Sequence, residues 1–199
     1  MLTYATRFRH PARAFFRLSN SLIRFCNSCG AAVTHRIPEG DSLQRAVCDA
    51  CGIVHYENPK IVVGCLPVHG DRILICKRAI EPRYGLWTLP AGFMENNETA
   101  GEGAAREALE EANAKVEIQD LYAVYSIPNI SQVYMMFRAK LLDANVSPGI
   151  ESLEVKLVTL DEIPWDQLAF AMVKKTLEFY IEDLKTGVFK PRFGDIRPK

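Results

Sequence analysis

The sequence lacks net charge, any long apolar run and internal repetition. Its 24 basic residues are balanced by 24 acidic ones, so the chain as a whole has no electrostatic field that would collect nucleic acid. No apolar stretch reaches the roughly 18 residues that a membrane-spanning helix needs, which argues against an integral membrane protein. With 48% hydrophobic residues in a length of 199, we expect a globular chain with one main core and a small extra module.

Acidic residues are absent from the first 25 positions, which hold five arginines and several aromatic residues. This composition is typical of an organellar transit peptide. It also fits a disordered basic extension or an over-long start. We therefore assign residues 1–24 to a basic leader, and we expect a cytoplasmic protein unless that leader directs the chain to an organelle.

The chain has six cysteines, and their spacing is informative. Two C-x2-C pairs are separated by 18 residues, and two further cysteines stand alone inside β-like runs. The paired residues are Cys26, Cys29, Cys48 and Cys51. Four thiolates on two tight turns can surround one ion, and soft sulfur ligands select zinc or iron. We expect a structural zinc site in a ribbon of residues 25–57, with a catalytic dithiol or a rubredoxin-like iron centre as alternatives.

Residues 58–190 are predicted to form one α/β domain, followed by a tail at 191–199. Apolar alternation and turn residues predict strands at 61–68, 72–77, 115–118, 121–127, 133–141 and 154–160. Helical spacing predicts helices at 99–112 and 171–184, the first opened by a capping box of Thr99 and Glu102. The expected fold class is α/β (α+β), with a sheet packed between helices.

The first predicted helix carries a concentration of acid. At 100° per residue, Glu107, Glu110 and Glu111 lie within about 100° of one another, so three carboxylates share one face. The opposite face, expected to pack on the sheet, holds Gly101, Ala105, Ala108, Leu109 and Ala112. Neighbouring like charges repel one another, and a hard cation such as Mg²⁺ or Mn²⁺ would reverse that cost. A solvated acidic face is the alternative interpretation.

The segment that contains this helix resembles the Nudix box, G-x5-E-x7-R-E-U-x-E-E-x-G-U. The specified residues that are in place are Gly92, Glu98, Arg106, Glu107, Glu110 and Glu111. Ala108 replaces a bulky apolar residue, and Asn113 replaces a glycine that ends the helix. Asparagine also adopts the left-handed conformation needed there. The resemblance implies a Nudix α/β/α sandwich that cleaves pyrophosphate bonds.

The resemblance also implies roles for individual residues. Arg106 would orient the acidic cluster, Glu98 would support it, and one glutamate would double as general base. Many members add a carboxylate from a later loop, for which Glu151 is our candidate and Glu154 the second choice. The expected Mg²⁺ or Mn²⁺ ligands are Glu107, Glu110, Glu111 and Glu151. The expected substrate-binding residues are Trp87, Arg78, Tyr125 and Tyr134, although such aromatic residues more often belong to a core.

Two subfamilies bear on the substrate. A zinc ribbon fused to a Nudix domain resembles the NADH pyrophosphatases, but residues 131–137 replace their S-Q-P-W-x-F-P stretch. From about residue 25 to 184 the chain resembles the plant chloroplast FAD pyrophosphatase family, as in Pro148-Gly-Ile-Glu151-Ser-Leu-Glu154. This implies hydrolysis of an FAD or ADP-ribose type dinucleotide to two monophosphates.

Other functions remain as alternatives. The first is an NADH or capped-RNA pyrophosphatase, and the second is a nucleotide-sensing regulator that binds nucleic acid through the ribbon and the leader. Since the ribbon carries as much acid as base, we expect a small nucleotide substrate and no nucleic-acid or membrane partner. We also expect a homodimer.

Overall fold

The computed structural model describes residues 23–197, which divide at Glu57 and Asn58 into two compact units. The first unit contains a three-stranded antiparallel sheet in the order β1-β2-β3. Its strands are β1 (Thr34–Arg36), β2 (Arg45–Val47) and β3 (Val54–His55). Most of the predicted leader, residues 1–22, lies outside the described residues.

The second unit is built on an eight-stranded mixed sheet with two helices. Its strands are β4 (Lys60–His69), β5 (Arg72–Arg78), β6 (Trp87–Thr88), β7 (Ala91–Phe93), β8 (Val116–Ile127), β9 (Gln132–Leu141), β10 (Ser152–Val158) and β11 (Arg192–Asp195). The helices are α1 (Ala100–Ala112) and α2 (Ala171–Thr186). The strand order is β10-β5-β4-β9-β8-β11, in which β4 and β9, and β8 and β11, run parallel.

Strands β4 and β5 separate soon after the turn that joins them. They pair only at Val68–Ile73 and His69–Arg72, and the segment that precedes α1 fills the space between them. Within that segment β7 pairs with β4 and β6 pairs with β5. The insertion carries Gly92 and the start of α1 to the middle of the sheet.

Apolar residues cover both faces of the sheet, because successive strand side chains point in opposite directions. On β5, Leu74 and Cys76 join a core with the alanines of α1, whereas Ile73 and Ile75 join a core with α2. The result is the three-layer α/β/α arrangement expected from the sequence.

Both predicted helices are confirmed. Thr99 and Glu102 form the capping box at the start of α1, and Asn113 ends this helix in the left-handed conformation with φ 49°. Two predicted strands are instead one long strand, β8, whose pairing shifts at Ile118 and again near Leu121. Such bulges break the alternation on which the prediction relied.

Two further expectations are corrected. Residues 192–195, placed in a tail, form β11 and pair with β8, a strand too short to show apolar alternation. Leu109 was expected to face the sheet, but it is 48% exposed, while Gly103 and Ala104 are buried. The helix is rotated because Glu107 and Glu111 are themselves buried against the segment that leads into it.

Among the described residues, no helix is both long enough and apolar enough to cross a membrane.

Candidate functional site

The four paired cysteines meet at one point in the first unit. Their sulfur atoms all lie within 4.8 Å of one another. The Cys26 and Cys51 sulfurs are 3.6 Å apart, and the Cys29 and Cys48 sulfurs are 3.5 Å apart. A tetrahedral zinc ion with bonds of about 2.3 Å requires sulfur separations of this size.

Backbone hydrogen bonds shape the two turns that carry these cysteines. The N–H of Gly30 donates to the carbonyl of Cys26 at 2.9 Å, and the N–H of Gly52 donates to that of Cys48 at 2.8 Å. Hydrogen bonds from the backbone at Cys29 and Ser28 lower the pKa of the Cys26 thiol to about 6. The turn geometry and the convergence of four sulfur atoms fit a zinc site, where thiolate is the form that binds metal.

In the second unit, Arg106 on α1 holds three glutamates. Its guanidinium donates to Glu98 at 2.8 and 3.0 Å, to Glu107 at 2.8 Å and to Glu110 at 2.9 Å. It also donates to the carbonyl of Phe93 at 3.1 Å. Arg106 thereby links α1 to both ends of the short segment that joins β7 to this helix.

Glu98 accepts more hydrogen bonds than the other two glutamates. Besides the two bonds from Arg106, it accepts the backbone N–H of Glu95 at 2.7 Å. The Arg106 bonds, followed by that of Glu95, lower the pKa of Glu98 to about 2. This carboxylate is therefore ionised at neutral pH and is committed to holding Arg106.

The Glu107 carboxylate lies directly against Gly92. A β-carbon on Gly92 would overlap that carboxylate, so only glycine leaves room for the carboxylate in this position. Glu107 and Glu111 are 8% and 6% exposed, whereas the side chain of Glu110 is 58% exposed. Two of the three acids are therefore buried between the helix and the inserted segment.

Burial makes these two carboxylates hard to ionise. It raises the pKa of Glu107, and it raises the pKa of Glu111 to about 8. The negative charges of Glu107 and Glu151 add to the effect on Glu111, while Arg78 and the backbone at Ala91 oppose it. A cluster of buried acids of this kind is the environment that a bound cation would stabilise.

Glu151 follows a loop that is fastened to the C-terminal end of α1. The N–H groups of Gly149 and Ser147 each donate at 3.0 Å to carbonyls in the last turn of that helix. A β-carbon on Gly149 would overlap the carbonyl oxygen of Glu110. On the other side, the N–H of Ala79 donates to the carbonyl of Glu151 at 2.8 Å, so the loop brings Glu151 to the acidic group.

The carboxylate oxygens around α1 are more widely spaced than the sulfur atoms of the cysteine cluster. Within residues 23–197, the four cysteines are the only set of three or more histidine, cysteine or acidic ligands with all ligand atoms within 4.8 Å. In the arrangement described, Arg106 bonds Glu107 and Glu110, and Glu151 is exposed. Glu154, the second choice for the loop carboxylate, pairs instead with Lys156 at 2.9 Å.

Comparison with known proteins gives the family. The Nudix N-terminal zinc-ribbon model matches residues 24–57, and the NUDIX domain model matches residues 58–180. The chain belongs to the Nudix family. A NUDIX hydrolase structure from Nitrosomonas europaea is 57% identical, with a TM-score of 0.86, and covers 88% of this chain and 100% of its own.

Two curated relatives are named for different substrates. NAD-capped RNA hydrolase NudC of Stutzerimonas stutzeri is 26% identical over 79% of this chain and 56% of its own length. ADP-ribose pyrophosphatase of Methanocaldococcus jannaschii is 29% identical over 58% of this chain and 69% of its own length. The chain thus spans little more than half of the NudC relative.

Nudix hydrolases use divalent metal ions, and the donor sets here fit two kinds of metal. Thiolates in the ribbon suit zinc, and carboxylate oxygens around α1 suit a hard cation.

Two of the aromatic residues predicted to contact the substrate are part of the core. Trp87 is 4% exposed and Tyr125 is 1% exposed, both on the α2 side of the sheet. The Tyr125 hydroxyl is 3.0 Å from that of Thr176 on α2. They are buried because β6 is an inserted inner strand and β8 is covered by α2, features that residue type alone does not reveal.

Arg78 lies near Glu111, and Tyr134 packs against the core on the α2 side of the sheet. The charge of Arg78 acts on both Glu111 and Tyr134, lowering the pKa that burial raises in each. Arg78 is held by the carbonyl of Pro82 at 2.9 Å and lies 5.1 Å above the ring of Phe170. Phe170, just before α2, was not among the predicted site residues, since a single aromatic residue at a helix start carries no sequence signal.

Proposed function

We propose that the protein hydrolyses the pyrophosphate bond of a nucleoside-diphosphate derivative of the FAD or ADP-ribose type, releasing two monophosphates with Mg²⁺ or Mn²⁺ as cofactor. The observation that carries the proposal is the acidic face of α1, where Glu107 and Glu111 are buried beside Gly92 and Glu151 approaches from the loop.

Four carboxylates would hold the cation. They are Glu107, Glu110, Glu111 and Glu151. Mg²⁺ keeps several of its waters and takes only a few protein oxygens directly, so an open acidic group suits it better than a closed cage. A bound Mg²⁺ or Mn²⁺ supplies charge neutralisation of the diphosphate and activation of the attacking water.

The protein's own residues position these acids. Arg106 fixes the Glu107 and Glu110 carboxylates, and Glu98 fixes Arg106. Glu98 is thus a positioning residue that acts through the arginine. Glu111 is our candidate for the group that accepts a proton from the attacking water, since it is buried among the acids of α1.

Arg78 and Phe170 are our candidates for binding the rest of the substrate, with Tyr134 beside them. A guanidinium binds phosphate oxygens in a bidentate manner, and a partly exposed aromatic ring stacks on a flat base. The resemblance to FAD pyrophosphatases and the ADP-ribose pyrophosphatase relative support a dinucleotide substrate.

The second candidate substrate is NADH or an NAD-capped RNA end. The NudC relative supports it. Against it stands the segment 131–137, which departs from the stretch typical of NADH pyrophosphatases.

The test is hydrolysis of FAD, ADP-ribose, NADH and NAD-capped RNA in Mg²⁺ or Mn²⁺, followed by chromatography of the released mononucleotides. We expect FAD or ADP-ribose to be cleaved fastest, and Glu111→Gln to lower kcat by about 100-fold or more. Glu117→Gln changes an exposed acid on β8 and should leave the rate unchanged. Full activity in Glu111→Gln, or no cleavage of any substrate, would refute the hydrolase proposal.

A further inference from the structure

Strand β10 lies at one end of the sheet. Among the residues that the structure describes, it pairs only with β5. Its outer row of N–H and C=O groups therefore has no strand partner, and such an edge can pair with another chain.

The charges along this edge are self-complementary. The central residues read Glu154-Val155-Lys156, with opposite charges on either side of Val155. If a second copy of β10 ran antiparallel about a twofold axis at Val155, Glu154 would face the partner's Lys156, and Lys156 the partner's Glu154. Moving the axis to Lys156 would place two lysines opposite each other, which is unfavourable.

We propose that β10 is the interface of a homodimer, in which the strands of two copies pair antiparallel about Val155 and join the two sheets into one. The Glu154 and Lys156 side chains are 41% and 51% exposed, so both are available to a partner. Within one chain Glu154 contacts Lys156 at 2.9 Å and Lys77 at 3.9 Å, and Lys156 lies 5.0 Å from the centre of the Trp87 ring. The two ion pairs join partly exposed groups and are easily exchanged for the cross-strand pair.

The neighbouring residues set the limits of this contact. A bulge at Leu153 interrupts the pairing of β10 with β5, so the regular edge begins at Glu154. Leu153 is 45% exposed and lies beside the end of the proposed contact. The contact would therefore cover apolar surface as well as match charge.

Charged residues on an edge strand can also serve to keep it unpaired. The two interpretations differ in the order of the charges. An edge that served only to repel a second copy would carry charges of one sign. Here the two charges have opposite signs, so each faces its opposite when a second copy runs antiparallel.

Charge reversal tests the proposal on the full chain. In Glu154→Lys both central charges become positive, and in Lys156→Glu both become negative, so each variant should self-associate at least about 10-fold more weakly than the wild type. An equimolar mixture should form heterodimers, because each strand then meets its opposite. The double variant E154K/K156E restores the complementary order and should dimerise again.

The measurement is sedimentation velocity over a concentration series, with circular dichroism to show that each variant is folded. A monomeric wild type, single variants that dimerise as well as the wild type, or a mixture that stays monomeric would each overturn the proposal. If a single variant does not fold, the double variant decides between the outcomes. A folded but monomeric double variant would contradict the proposed register.

Discussion

The carboxylate of Glu107 on α1 lies against the α-carbon of Gly92 on β7, with no room for a β-carbon between them. This contact sets the position of the carboxylate at the point where the acidic face begins. Since Arg106 holds the same carboxylate from the other side, the position of Glu107 is determined by two independent contacts.

Gly92→Ala should therefore displace the Glu107 carboxylate and lower kcat/KM by about 100-fold, the usual cost of a misplacement near 1 Å. The matched control is Gly101→Ala in the first turn of α1. A β-carbon there would meet only Ile118, at an ordinary 3.7 Å, and alanine should stabilise the helix by about 0.5–1 kcal/mol. Steady-state rates and thermal unfolding of both variants check the prediction, which is wrong if Gly92→Ala keeps wild-type activity.

Gly149→Ala should separate the role of the loop from that of the helix. The new β-carbon overlaps the carbonyl oxygen of Glu110, so the loop must lift away from α1 and move Glu151. We expect kcat to fall by about 10-fold or more while the chain stays folded. Gly194→Ala on β11 is the control, because its β-carbon would meet Tyr125 at 3.6 Å. Equal activity in the two variants would show that the loop contact does not matter for catalysis.

Asp183 on α2 should make stability depend on acid. It is 5% exposed, bonds Arg192 at 2.6 Å and accepts the Tyr122 hydroxyl at 2.7 Å. The Arg192 hydrogen bonds lower the pKa of Asp183 from 3.8 to about 2. The stabilisation is therefore complete above about pH 4 and is lost as pH falls towards 2.

Asp183→Asn should lower the free energy of unfolding at pH 7 by about 2–3 kcal/mol, somewhat less than for a fully buried pair because Arg192 is partly exposed. Glu178→Gln, on the same helix, breaks an exposed 4.0 Å pair with Lys174 and should cost at most about 0.5 kcal/mol. Urea titrations at pH 7 and pH 3 give both values. The gap between wild type and Asp183→Asn should narrow at pH 3, and an unchanged gap would contradict the assignment.

The sequence predicted what depends on local spacing. The two helices, the capping box at Thr99 and the left-handed Asn113 all follow from short-range rules. The meeting of the four cysteine sulfurs was likewise implied by their spacing.

Features that depend on one chain segment packing between or beside others could not be predicted in this way. Trp87 is buried because β6 enters between two separating strands, and Phe170 lies beside Arg78 only because α2 begins there. Both depend on which chain segments become neighbours. Residue type and period carry no such information.

The cysteine cluster leads to a prediction about metal content. Because four sulfurs converge with separations that suit zinc, the purified chain should hold one zinc ion. Cys29→Ser should lose it, since three thiolates and a hydroxyl bind zinc far more weakly. Cys65→Ala is the matched control, because Cys65 is buried in the core of the second unit and should leave the zinc content unchanged. Elemental analysis of the three proteins decides the matter: zinc retained in Cys29→Ser would exclude the four-cysteine site, and iron in place of zinc would favour the rubredoxin-like alternative.

Because the ribbon has three short strands and few buried apolar residues, removing the metal should also increase proteolysis within residues 25–57 before the second unit is cut.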